Sequence, residues 1–321
     1  MTDAPGPRLR RLTRTAAWAA GGASALGAGA LVWGRVEAEA RVVRTHTVPV
    51  LPAGARPLRV LHLSDIHLLP RHRGRLEWLR SLADLEPDLV VDTGDNISSA
   101  ASIPLLLDAL APLLAVPGVF VPGSNDYFTP KPANPLRYLR GPSELEASRS
   151  RLPTEDLFSA FRAAGWTDLT DRAADVVVGS GPDAVRIRAA GTDDPHLGLD
   201  RWPGFDLADE GAAGDAPLLR LGVTHAPYRR VLDAMTADGA DLLLAGHTHG
   251  GQVCLPFAGA LVTNCDLPRS QASGLSSWTA AGRTVPLEVS AGVVGSANTE
   301  LTIRRMTCVK ARATRPAARA E

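Results

Sequence analysis

The chain has 321 residues, room for two average domains or for one large α/β domain behind an N-terminal extension. With 45% hydrophobic and 21% charged residues it has the composition to bury a substantial core, which excludes disorder as the default state. Lys and Arg number 34 against 34 Asp and Glu, so no basic excess is available to neutralise a polynucleotide, and no nucleic-acid partner is expected.

The first forty residues differ from the rest. Arg8, Arg10, Arg11 and Arg14 precede residues 15–34, "TAAWAAGGASALGAGALVWG", a stretch without a charge that is long enough to cross a bilayer as a helix. Its Ala/Gly character suits a secretory signal equally well, Arg10–Arg11 resembles a twin-arginine export signal, and "AEA" at 38–40 offers a cleavage site. Arginines ahead of the segment favour a cytoplasmic N-terminus. The expectation is therefore a body held outside the cytoplasm at the cell membrane, or secreted after cleavage, with a buried Ala/Gly helix as the plainer alternative. Residues 1–40 are read as signal or anchor, 41–56, with Pro49, Pro52 and Gly54, as a linker or edge segment, and 57–310 as the main domain. The tail 311–321, "ARATRPAARAE", is read as disordered.

From Leu58 onward, short β-rich runs recur, each turning polar at its end. They are "LRVLHLSDIH" (58–67), "DLVVDTGDN" (88–96), "GVFVPGSND" (118–126), "VRIRAAGTDD" (185–194), "LLRLGVTHAP" (218–227) and "DLLLAGHTHG" (241–250). Helical spacing places Leu76, Leu79 and Ala83 on one face of 75–84, and Pro104 opens a second helix over 104–115. Apolar strands alternating with helices predict an α/β fold with a buried sheet, whose ligand site lies beyond the carboxyl ends of the strands. After residue 250, β-like runs at 284–294 and 299–309 suit a second sheet packed on the first, and 127–153, rich in proline, reads as a long surface loop. Cys254, Cys265 and Cys308 are odd in number and form no CxxC pair, so buried free thiols are expected, with a Cys254–Cys265 bridge as the alternative.

The polar strand ends carry metal-ligand chemistry. Asp65 and His67 lie two apart in "SDIH", Asp95 follows Gly94 in "DTGD", His225 ends "VTH", and His247 and His249 lie two apart in "GHTHGG". Any one such residue is more often a turn former, a cap or a hydrogen-bonded core histidine. Taken together and in order, they are a mixed N/O ligand set suited to Mn, Fe or Zn. A carboxylate such as Asp95 can bridge two ions, which assigns Asp65, His67, Asp95 and His249 to one. The other takes Asp95, His225, His247 and a group from the 123–126 loop.

With these motifs the chain resembles the calcineurin-like metallophosphoesterase superfamily over roughly residues 57–300, and its "GHTHGGQ" (246–252) is similar to that of a bacterial exported or membrane-associated phosphodiesterase branch. The resemblance implies a four-layer αββα sandwich, two mixed sheets flanked by helices. It also implies two divalent metal ions (Mn, Fe or Zn) and hydrolysis of a phosphoester substrate by a hydroxide held between them. The alternatives are a non-catalytic metal- or phosphate-binding module and a metallo-hydrolase of another bond type.

One motif departs. The family's Gly-Asn-His-Asp falls on Gly123, Ser124, Asn125 and Asp126. Either Ser124 or, with a one-residue slip, Asn125 supplies the metal ligand, and the slip would put Asp126 in the place of the histidine. An amide oxygen suits an ion better than a hydroxyl, which favours Asn125. Asn125 cannot protonate a leaving group, so His196, in "GTDDPHLG", is the candidate replacement, beside Asp126 or a water. The turn-forming Asp194-Pro195 is the plainer reading of that loop.

Overall fold

A computed structural model describes residues 41–130, 149–205, 218–251, 254–255, 259–293 and 305–313, with scattered positions between Trp18 and Gly29. In chain order the elements are β1 (Val42–Leu51), β2 (Leu58–Leu63), α1 (Arg73–Ser81), β3 (Leu89–Asp92), α2 (Ile103–Leu114), β4 (Gly118–Phe120) and the single helical turn α3 (Ser124–Tyr127). They continue with α4 (Thr154–Ala163), β5 (Thr167–Asp168), β6 (Arg172–Val178), β7 (Val185–Gly191), β8 (Leu218–Thr224), α5 (Arg229–Ala237) and β9 (Leu242–Ala245). The last are β10 (Cys254–Leu255), β11 (Gly259–Ala260), β12 (Gly274–Ala280), β13 (Arg283–Val289) and β14 (Arg305–Ala313).

Two six-stranded sheets form the body, in the orders β1-β14-β2-β3-β4-β5 and β12-β13-β9-β8-β7-β6. In the first, β2 through β5 run parallel and β14 is antiparallel to β2. In the second, β13, β9, β8 and β7 run parallel between two antiparallel edge strands. Alternation within each strand decides the layers. Leu58 and Val60 of β2 join Leu219, Leu221 and Leu244 between the sheets. Leu61 and Leu63 face the other way, onto Leu79 of α1, Leu110 of α2 and Phe161 of α4. Met235 of α5 covers the second sheet with Leu243 and Leu287. The result is the expected four-layer arrangement, two mixed sheets flanked by helices.

Of the two readings of 41–56, linker or edge segment, the edge segment is the one seen over Val42–Leu51: its β-branched Val42, Val43, Thr45, Thr47, Val48 and Val50 form β1 at the edge of the first sheet, paired in parallel with β14, with Val48 and Leu51 buried. Other boundaries differ from the sequence reading. The run at 299–309 contributes β14 to the first sheet, not the second, and β14 continues through Ala313, three residues past the expected domain end. The second sheet begins at β6, long before residue 250. Cys265 is a free thiol, so the Cys254–Cys265 bridge is not formed. Most of residues 15–34, most of the loop 127–153 (131–148) and the tail from residue 314 lie outside the described residues. Among the described residues no helix is long and apolar enough to cross a membrane.

Candidate metal centre

Six strand ends open toward one region, and the backbone there is bent hard. Nine described non-glycine residues have positive φ, and Asp65, His67, Asp95, His247 and His249 are five of them, with φ of 51°, 41°, 59°, 69° and 50°. Left-handed backbone costs of order 1–3 kcal/mol per residue when the side chain is not glycine, and such strain gathers at functional sites. The turns are locked to one another: Asp65 N–H donates to Gly94 O and His67 N–H to Asp95 O, both at 2.8 Å. Gly123 is required by this proximity, since a Cβ there would lie 2.3 Å from Asp95 Oδ1 and 2.8 Å from His225 Cε1.

Asp65 is fully buried and divides its two oxygens. Oδ2 accepts from Ser64 Oγ at 2.5 Å and from His247 N–H at 2.9 Å. Oδ1, which has no hydrogen-bond partner among the described residues, lies 3.5 Å from His249 Nε2 and 3.9 Å from His67 Nε2. Asp95 accepts from Asn125 N–H on Oδ1 and from Asn125 Nδ2 on Oδ2, each at 2.7 Å. Its Oδ2 also lies 3.3 Å from His67 Nε2 and 3.5 Å from His225 Nε2. Among the described residues two groups are compact enough to hold an ion: Asp65, His67 and His249, and Asp65, Asp95 and His225. His225 Nδ1 is paired with Thr93 O at 2.7 Å and His247 Nε2 with Asn264 O at 3.1 Å. A carbonyl on one ring nitrogen fixes the tautomer and frees the other nitrogen for an ion.

Asp126 has a different task from the one the slipped alignment gives it. It is fully buried, and its carboxylate accepts from the backbone N–H groups of Asp95, Asn96 and Gly123 at 2.8, 2.8 and 3.0 Å. These bonds tie the Asp95 turn to α3 and leave Asp126 facing backbone. In the unslipped register Asn125 stands where the motif has histidine. Asn125 Oδ1 is buried and has no hydrogen-bond partner among the described residues. His196 is brought to the site: its ring centroid is 4.6 Å from that of His247, and its Nδ1 is 3.1 Å from Tyr228 Oη.

The electrostatics describe carboxylates crowded around imidazoles. Burial, with Asp95 nearby, pushes Asp65 up to about 6 despite the opposing pull of His225. Burial likewise pushes Asp126 and Asp194 up to about 7. For Asp95 burial is outweighed by His225 and His67, and the carboxyl sits well below its ordinary value. Burial would lower His225, but Asp95, Asp65 and Asp194 hold it well above the usual range. His196 is pushed down to about 4 by burial and by His225, so it is neutral at pH 7 and can donate a hydrogen bond but not readily a proton. Buried acids sharing so little positive charge, with an Asp65 oxygen left unsatisfied, fit divalent cations, whose charge would favour the ionised carboxylates.

Several supporting residues carry no sequence signal. Buried Arg75 on α1 donates to Ile66 O and His67 O at 2.5 and 3.1 Å, steadying the first ligand turn. Beneath the site His62 of β2 joins the sheets, with Nδ1 at 2.5 Å from Glu288 Oε2 and Nε2 at 2.9 Å from Thr93 Oγ1. The outward-polar, inward-apolar pattern that marks strands cannot announce a polar pair between two sheets.

A family model described as calcineurin-like phosphoesterase matches residues 58–251. The chain is 30% identical over 228 residues, 67% of its length, to the "Transmembrane protein with metallophosphoesterase domain" of Bos taurus, of which the match covers 46%. It is 28% identical over 261 residues to the "Uncharacterized metallophosphoesterase YkuE" of Bacillus subtilis (strain 168), covering 74% of this chain and 78% of that one. The chain thus spans less than half the length of the cattle relative and of the similar zebrafish protein. Among solved structures, TT1561 of Thermus thermophilus aligns over 74% of this chain and 90% of its own, with 14% identity and a TM-score of 0.35.

Proposed function

The chain belongs to the calcineurin-like phosphoesterase family, and from that premise we propose that it is a phosphodiesterase using two divalent ions, acting on a phospholipid-related or other cell-envelope substrate. Metal-dependent phosphoester hydrolysis is the coarser statement that the family and the ligand groups support. The observation that carries the two-ion part is the position of Asp95 Oδ2, which lies within 3.5 Å of both His67 Nε2 and His225 Nε2. One oxygen thereby meets a histidine from each half of the site, the arrangement two ions sharing a ligand require.

When bound, the ions would supply Lewis acidity toward the phosphoryl oxygens and activate water for in-line attack. Asp65, His67, Asp95 and His249 would hold one, and Asp95, His225 and His247 the other, with Asn125 Oδ1 available beside it. The protein's own part is positional. Asn125 clamps the Asp95 carboxylate through two N–H donors, and His196, oriented by Tyr228, offers a neutral imidazole next to His247. Neither is a strong acid at neutral pH, so the leaving group must depart with a hydrogen bond or a water-borne proton. A diester suits this site because it brings one negative charge where a monoester brings two. The uncharged N-terminal stretch behind four arginines, and the transmembrane naming of the cattle relative, support a membrane location with an envelope substrate in reach.

The test compares a bis-aryl phosphate with an aryl monophosphate in Mn²⁺, for the unaltered chain and for Asn125→His. The diester should turn over faster, and Asn125→His should speed cleavage of esters with poor leaving groups, within the roughly 10²- to 10⁴-fold range of general acid catalysis. Preference for the monoester would overturn the phosphodiesterase reading.

A further inference from the structure

Of the turn Gly123–Asp126, Asn125 is taken up in clamping Asp95 through its N–H and Nδ2, which leaves its Oδ1 as the one side-chain amide oxygen the turn offers the second ion. In the unslipped register Ser124, a weak neutral donor, stands at the position of the motif's asparagine. Asp194 follows β7 in the loop "TDDPH" and is fully buried. Turn formation accounts for half of it: Oδ1 accepts from His196 N–H at 2.9 Å, and its carbonyl accepts from Leu197 and Leu199 N–H at 3.3 and 3.2 Å. The other oxygen, Oδ2, is buried with no hydrogen-bond partner among the described residues. A capping aspartate with its second oxygen dry and unpaired is costly unless something else satisfies that oxygen.

The surroundings say what that is. The loop is fastened to the end of β8, just before His225, by Thr192 Oγ1 and Thr224 Oγ1 at 3.0 Å. It is fastened to α3 by Tyr127 Oη donating to Asp193 Oδ1 at 2.8 Å. Beyond burial, the charged groups that act most on Asp194 are His225 and Asp95, two of the residues assigned above to the second ion. His196, two residues on, packs against His247, the third.

We propose that Asp194 is a ligand of the second ion, giving Oδ2 alongside Asp95, His225 and His247, and so replaces the amide oxygen that Ser124 cannot supply. A carboxylate is a harder and more strongly bound donor than an amide for Mn, Fe or Zn. The exchange adds one negative charge at that ion, which tightens its binding. Asn125 then orients Asp95 without being needed to hold metal. The inference rests on the metal-dependent reading above.

The test strips the full chain with chelator and titrates Mn²⁺ back, counting bound ions by calorimetry and by the spin coupling of paired Mn²⁺. The unaltered chain should bind two per molecule. In Asp194→Asn the one amide oxygen is claimed by His196 N–H, so an NH₂ faces the ion and the turn is kept. This variant should bind one Mn²⁺ tightly, lose the spin coupling, and weaken the second site by at least about tenfold, the lower bound for disturbing a metal's surroundings. Asn125→Ala should keep two, and Ser124→Asn added to Asp194→Asn should restore the second. Two ions bound with unchanged affinity in Asp194→Asn would overturn the inference alone, whereas fewer than two in the unaltered chain would overturn the two-ion reading as well. A Zn²⁺-soaked crystal of the unaltered chain needs no variant: it should show Oδ2 about 2.0–2.2 Å from the ion, and a longer, water-filled separation would refute direct ligation.

Discussion

At the scale of single residues, Asp65 shows how the fold shapes a candidate ligand: Ser64 and the His247 N–H hold one oxygen while the other is presented bare to His67 and His249. That preparation has a pH consequence. Asp65 and Asp194, raised to about 6 and about 7, are held more stably when protonated, so the stability they contribute is complete at low pH and is lost as pH rises through those values. His225, held well above its usual value, and Asp126, raised to about 7, act in the same direction; His196 and His247, held below the ordinary imidazole value, act the opposite way below that value but are outnumbered by the raised acids, and the lowered Asp95 matters only at pH below its ordinary range. Chelated protein should therefore melt at progressively lower temperature between pH 5 and pH 8, and saturating Mn²⁺ should reverse the trend. A chelated melting temperature that climbs across this window would show that the carboxylates are not crowded as described. At this scale the residues of the two compact groups, Asp65, His67, Asp95, His225 and His249, are legible in the sequence, because glycine and paired motifs mark their turns. Asp194 is not, since an Asp-Pro turn looks the same whether or not its second oxygen is occupied.

At the scale of elements, the strand ends are what the sequence shows best. Each apolar run stops where its polar residues begin, and β2, β3, β4, β7, β8 and β9 lie where the runs predict. Which sheet a strand joins is far less visible, because the same apolar, parallel signal serves both sheets and pairing partners are distant in the chain; β14 beside β1 and β2 is the case in point. Helices carry a hidden function too. Arg75 lies on the buried face of α1 beside Leu76 and Leu79, where hydrophobic spacing alone would class it as a misfit, yet it holds the Ile66 and His67 carbonyls. Arg75→Gln should leave the four layers intact while lowering Mn²⁺ affinity or turnover by about 10- to 100-fold, as removal of a ligand's support does. Unchanged binding and turnover would mean that the turn keeps its strained shape without this clamp.

At the scale of the whole molecule, the site belongs to neither sheet alone. Asp65, His67, Asp95 and Asn125 follow strands of the first sheet, and His225, His247, His249 and His196 follow strands of the second. The apolar layer between them fixes their separation, and the buried His62–Glu288 contact ties the sheets together directly under Thr93, whose carbonyl orients His225. Folding and ligand assembly are thus one event, which explains how five strained residues persist: packing across the whole interface holds them. The most direct measurement is hydrolysis of a bis-aryl phosphate as Mn²⁺ is returned to chelated full-length protein, with Asp95→Asn alongside. Turnover should be absent without metal and rise to a plateau near two ions per chain, and Asp95→Asn should lower it by more than the roughly 100-fold of an outer-shell change. Folded protein that shows no turnover at any Mn²⁺ concentration, or an Asp95→Asn variant as active as the unaltered chain, would contradict the account.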